Sequence, residues 1–209
     1  MNDKSNNLWM GLLDTNCPTE VELYEQAFYR AFERASHNRL IRKLWNWNDE
    51  VRRLAVRLPY SQQINYVMRR EDTGDIVTGL AVNCDCSQAQ SHAYGFTAPE
   101  SDNCTCEFLT LFSVSEYSMQ SRFLFWRTVF NDLQKRGYKT AYGTTASKVL
   151  RFYTRMGAQV IDQRSIDGEE RYFLRFDTSC TSWTAARRLL HDPINASPWN
   201  SATNSMFVQ

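Results

Sequence analysis

The chain has 209 residues, 43% of them hydrophobic and 22% charged, with a net charge of +1. That balance is the one expected of a soluble globular protein with a single domain, or one domain with an added tail. No stretch approaches the ~18 apolar residues of a membrane span, and the opening MNDKSNNLWMGLLDT has neither the basic flank nor the cleavage site of a signal peptide.

The first 18 residues read as an N-terminal arm. Thr19 and Glu22 then stand at capping-box spacing ahead of Val21, Tyr24, Phe28, Ala31 and Ala35, which recur at helical intervals. Val51, Leu54, Ala55 and Leu58, stopped by Pro59, predict a second helix, with the tryptophans of KLWNWND between the two as packing residues. INYVMRR and DIVTGLAVN flank the turn EDTG and predict a β-hairpin. A polar loop, 87–103, leads to a central strand in CEFLTLFSVS. Phe123, Trp126, Val129, Phe130 and Leu133 share one face of a helix closed by Gly137. YKTAYGTTA reads as a strand, Ser147 to Met156 as a helix, and AQVIDQRSIDGEERYFLRF as a hairpin turning at Asp167-Gly168. Residues 178–209 read as a tail, with a short helix in WTAARRLL. The order predicts an α/β (α+β) domain over 19–177, a mixed sheet with helices on both faces.

Charge and cysteine are both unevenly placed. From Arg122 to Arg155 eight basic residues face the single acid Asp132, a segment of +7 that leaves −6 for the rest of the chain. Such a segment either attracts an anionic partner or forms the solvated faces of two helices. No nucleic-acid recognition motif accompanies it, so no nucleic-acid partner is expected. Six cysteines without a secretory signal point to a reducing, cytoplasmic setting. The pairs Cys84/Cys86 and Cys104/Cys106 could offer four thiolates to zinc, but Cys-x-Cys is not the usual knuckle spacing. Buried free thiols are the favoured account and no metal is expected.

LRFYTRMGAQV, at 150–160, ends a helix at Gly157 and passes directly into a strand, with Tyr153 one turn before the stop. This Tyr-x-x-x-Gly pattern resembles that of the GCN5-related N-acetyltransferase (GNAT) superfamily, and the resemblance extends over 104–177. The superfamily's Gly-rich pyrophosphate loop is replaced here by VSEYSMQSRFLF, which contains no glycine. Acyl-homoserine-lactone synthases and N-acyl amino acid synthases share that loss and often use acyl carrier protein. CEFLTLFSV is similar to their fourth strand, with Glu107 matching its glutamate and Thr110 standing where an arginine is usual.

The resemblance implies an N-acyltransferase with acyl-CoA or acyl carrier protein as donor and the amine of a small molecule or amino acid as acceptor. An acidic carrier would give the +7 segment a purpose. Such chemistry needs an acid for the departing thiolate and a base for the amine. The resemblance assigns these to Tyr153 and Glu107, with Glu116 a weaker rival base, and places Phe112, Val114 and Arg122 along the donor. The alternative is a catalytically inactive binding module of the same fold, holding a protein or other anionic partner through its basic segment.

Overall fold

The computed structural model describes residues 8–35, 39–99, 102–114 and 119–179. Nine strands and four α-helices lie among them, in the order β1 (Leu8–Leu12), α1 (Pro18–Phe32), α2 (Arg39–Leu44), β2 (Trp45–Asn48), β3 (Arg53–Val56), β4 (Gln63–Arg70), β5 (Ile76–Asn83), β6 (Thr105–Ser113), α3 (Met119–Lys135), β7 (Thr140–Ala146), α4 (Ser147–Arg155), β8 (Gln159–Ile166) and β9 (Glu169–Asp177). Seven strands form one sheet in the order β1-β4-β5-β6-β7-β9-β8. Only β6 and β7 are parallel, so the sheet is mixed.

Each face of the sheet carries its own core. Tyr24, Ala27 and Phe28 of α1, with Leu40, Ile41 and Leu44 of α2, pack on one face. Phe125, Trp126, Val129, Phe130 and Leu133 of α3 pack on the other, where Phe152 and Tyr153 of α4 join them. The expected α/β sheet with helices on both faces is what the chain forms.

Three local expectations need correction. Leu8–Leu12, read as part of an arm, pairs antiparallel with β4 as an edge strand of the main sheet. The helix expected over 51–58 is instead β3, which pairs with β2 in a small hairpin joining Trp45 to Val56 and Asn48 to Arg53. Arg52 turns that hairpin with a positive φ of 54°, and Leu54 and Val56 alternate inward. Val51, Leu54, Ala55 and Leu58 recur at helical spacing while Leu54, Val56 and Leu58 alternate, so the stretch fits either period, and cross-strand pairing decided it. Finally, α1 begins at Pro18 after Cys17, without a side-chain cap, so Thr19 lies inside the helix. Proline's missing N–H costs nothing there. The helix expected in WTAARRLL lies outside the described residues.

No described helix is long and apolar enough to cross a membrane.

Candidate active site

The central feature is a divergence of two strands. β6 and β7 pair only from Thr105–Thr140 to Phe108–Gly143, and β6 then runs on for five residues without its parallel neighbour. On its other edge, Ala81 of β5 pairs with Thr110 while Val82 pairs with Phe108. Leu109 is therefore an extra residue, a β-bulge that bends the strand where the partners separate. A cavity of about 40 Å3 occupies the resulting cleft, lined among others by Phe108, Leu109, Thr110, Trp126, Thr144 and Tyr153.

Tyr153 reaches this cleft because of how α4 ends. Gly157 takes φ +90°, the Ala158 N–H donates to the Tyr153 carbonyl at 3.0 Å, and the Gly157 N–H donates to the Thr154 carbonyl at 3.0 Å. This double closure is a Schellman motif, and glycine enters it without a Cβ penalty. Tyr153 is half-buried, its ring edge-on to Trp126 at 6.3 Å and to Phe176 at 6.0 Å. Burial pushes its hydroxyl up to about 12 from an ordinary 10. At neutral pH the phenol is a proton donor.

Glu107 occupies a different place from the one its expected role as base requires. It is 2% exposed, and its two carboxylate oxygens accept the backbone N–H groups of Gln90 and Ser91, each at 2.7 Å. It is not among the residues lining the cleft. Burial raises its pKa while these hydrogen bonds oppose the rise. The geometry makes it a clamp on the 86–94 loop.

The same loop is tied down by Gln90. Its Nε2 donates to the carbonyl of the bulge residue Leu109 at 3.2 Å, and its Oε1 accepts from Trp45 Nε1 at 3.2 Å. Nothing in the sequence near Gln90 signals this, because its partners are 19 and 45 residues away.

Phe112, expected along the donor, faces the opposite core. It is buried, stacked on Phe28 at 5.2 Å and edge-on to Tyr24 at 5.2 Å. The bulge sets this register: Leu109 and Phe112 belong to the α1-side core, whereas Phe108 and Leu111 face α3. Val114 ends the strand region, its N–H donating to the Val77 carbonyl at 3.0 Å, and touches both cores. Arg122 is half-buried in the first turn of α3. Glu116 lies outside the described residues.

The described cysteines are free thiols, Cys86 and Cys106 being buried. Burial pushes both thiols up. Among the described residues no three His, Cys, Asp or Glu side chains are grouped as metal ligands.

No protein-family model matches the sequence, and no curated protein does. Solved structures do match in fold. The CoA-dependent acyl-homoserine lactone synthase BjaI, with SAM and isopentyl-CoA, superimposes with a TM-score of 0.68 at 11% identity over 92% of each chain. The CoA-dependent acyl-homoserine lactone synthase MesI gives 0.67 at 11% identity, covering 93% of this chain and 100% of its own. The aminoglycoside 6'-N-acetyltransferase from Enterococcus faecium gives 0.54 at 11% identity, over 82% of this chain and 97% of that one. At these identities the likeness is one of fold.

Proposed function

We propose that a chain with the fold of acyl-homoserine lactone synthases and GNAT acetyltransferases is an N-acyltransferase, moving an acyl group from a thioester to a small amine. One observation carries this reading: a tyrosine in the last turn of a capped helix lines a cleft between diverging parallel strands, beside a bulge. The cleft lies where a thioester-linked chain would enter between the separating strands, and a bulge takes backbone groups out of the ladder, where they could meet a carbonyl oxygen.

The amine nitrogen attacks the thioester carbonyl, forming the C–N bond. The tetrahedral intermediate collapses by breaking the C–S bond, and the departing sulfur takes its proton from Tyr153. The phenolate then recovers a proton from the nitrogen, so amide and free thiol leave a neutral tyrosine. A phenol whose pKa is pushed up to about 12 is a weak acid but a strong recipient of the returning proton. Glu107 acts as a positioning residue, fixing the loop whose Gln90 holds the bulge.

Two of the fold neighbours are CoA-dependent synthases, which supports acyl-CoA as donor. Acyl carrier protein is the second donor, favoured by the basic segment. The test is a panel of acyl-CoA and acyl-carrier donors with mixed amines, read by free thiol and product mass. Amine-dependent thiol release supports transfer. Absence of release across the panel overturns it.

A further inference from the structure

Beneath α1 the sheet holds polar groups that ought to be paired. Asn65 of β4 pairs with Ala81 of β5, and Ala81 pairs with Thr110 of β6. Residues opposite one another share a face, and Ala81 and Val67 both belong to the α1-side core. Asn65, two residues from Val67, therefore points the same way. Only the methyl of Ala81 separates Asn65 from Thr110 along this row, across two strand spacings or about 10 Å.

Asn65 is 2% exposed and Thr110 is 6% exposed. Asn65 Oδ1, Asn65 Nδ2 and Thr110 Oγ1 have no hydrogen-bond partner among the described residues. One position along the same face, Tyr24 of α1 lies over Gly79, and its buried hydroxyl is likewise unpartnered among them. Buried polar groups left unpaired destabilise a fold, so a run of them on one face marks a place where a ligand supplies the missing bonds. Thr110 also lines the cleft that holds Tyr153, which connects this row to the reacting centre.

We propose that Asn65 and Thr110 form the polar floor of the acceptor subsite, for a small amine bearing a carboxylate or carboxamide, on the α1 side of the sheet. This rests on the transferase reading. The row contains no charged side chain, and each of its groups both donates and accepts. That set suits a carbonyl-type oxygen at Asn65 Nδ2 and an amine N–H at Thr110 Oγ1, the group nearer the cleft. A bare alkylamine leaves the carboxamide of Asn65 unsatisfied and binds less well.

The experiment uses Asn65→Leu and Thr110→Val, which keep volume and remove the polar atoms. The acceptors are alanine and phenylalanine, their amides, and the plain amines ethylamine and phenethylamine. We expect neither variant to melt below the wild type, because each removes an unpartnered buried group. The acceptor KM should rise at least about tenfold in both for amino acids or amides. Asn65 lies away from the cleft lining, so Asn65→Leu should leave both the donor KM and the KM for the plain amines unchanged. Preference between acid and amide identifies the carbonyl source.

A melting temperature lowered by more than about 5 °C would show that these groups are paired in the fold, and would overturn the proposal. So would an unchanged acceptor KM. If the wild type releases no thiol with any donor and amine of the panel, the transferase reading fails by itself. Calorimetric titration of the same amino acids and amides then decides the subsite. Binding by the wild type that both variants lose sustains it, and equal or absent binding overturns it.

Discussion

Tyr153 and Glu107 both resist ionisation, and the resistance has different consequences. For Tyr153, a folded pKa of about 12 against an ordinary 10 means its contribution to stability is complete below pH ~10 and is lost as pH rises through about 12. Tyr153→Phe should lower kcat by ~10²-fold or more with an unchanged melting temperature at pH 7. Between pH ~10 and ~12 the variant should lose stability less steeply than the wild type, measured by urea unfolding. Equal kcat would end the role of the phenol. For Glu107, burial raises the folded pKa above its ordinary value. Its contribution is therefore present below about pH 4.3 and declines as pH rises through the raised value. Glu107→Gln should remove that declining limb from a stability profile. Because Gln can accept only one of the two backbone N–H groups, the variant should also speed proteolysis of the 86–94 loop.

At the scale of elements, two closures position the candidate site. The cap at Gly157 joins α4 to β8 and carries Tyr153 with it. Gly157→Ala places a Cβ at φ +90° and should cost about 1–2 kcal/mol, with turnover falling because the last turn of α4 must rearrange. A thermal melt together with kcat tests both parts; full activity at reduced stability would separate the cap from the phenol's placement. On the other face, α1 lies close to β5 through Gly79, where any Cβ would meet the rings of Phe112 and Tyr24. Gly79→Ala should destabilise by about 1–3 kcal/mol by overpacking, seen as a lowered urea midpoint. These elements differ in how they could be read. The α4–β8 junction is a short-range pattern, five residues carrying their own stop signal. β3 forms where periodicity predicts a helix because its identity depends on pairing with β2 and on the contacts of Leu54 in the α1-side core.

Across the whole molecule, charge is segregated toward α3, β7 and α4. Lys148, Arg151 and Arg155 of α4 are exposed. If this surface receives an acidic carrier, Lys148→Glu with Arg151→Glu should raise KM for an acyl-carrier donor and leave KM for acyl-CoA nearly unchanged. The difference should shrink as salt shortens the screening length below ~8 Å. A salt-independent KM would count against docking there.

The elements with local punctuation were legible in the residues alone: the two hairpins turning at 71–74 and Asp167-Gly168, the apolar face of α3, and Tyr153 before the glycine stop. Each is encoded within a few residues, where periodicity and backbone preference act alone. The remainder depended on how distant segments pair and pack. A single extra residue in the pairing of β6 sends Phe112 into the α1-side core and places Thr110 at the cleft. Register is a contest between whole strands, so a one-residue shift reverses which face a side chain meets. Glu107 became a clamp because the loop that supplies its two N–H donors folds back from 16 and 17 residues away. The unpaired carboxamide of Asn65 and hydroxyl of Thr110 emerge only once three strands are laid side by side.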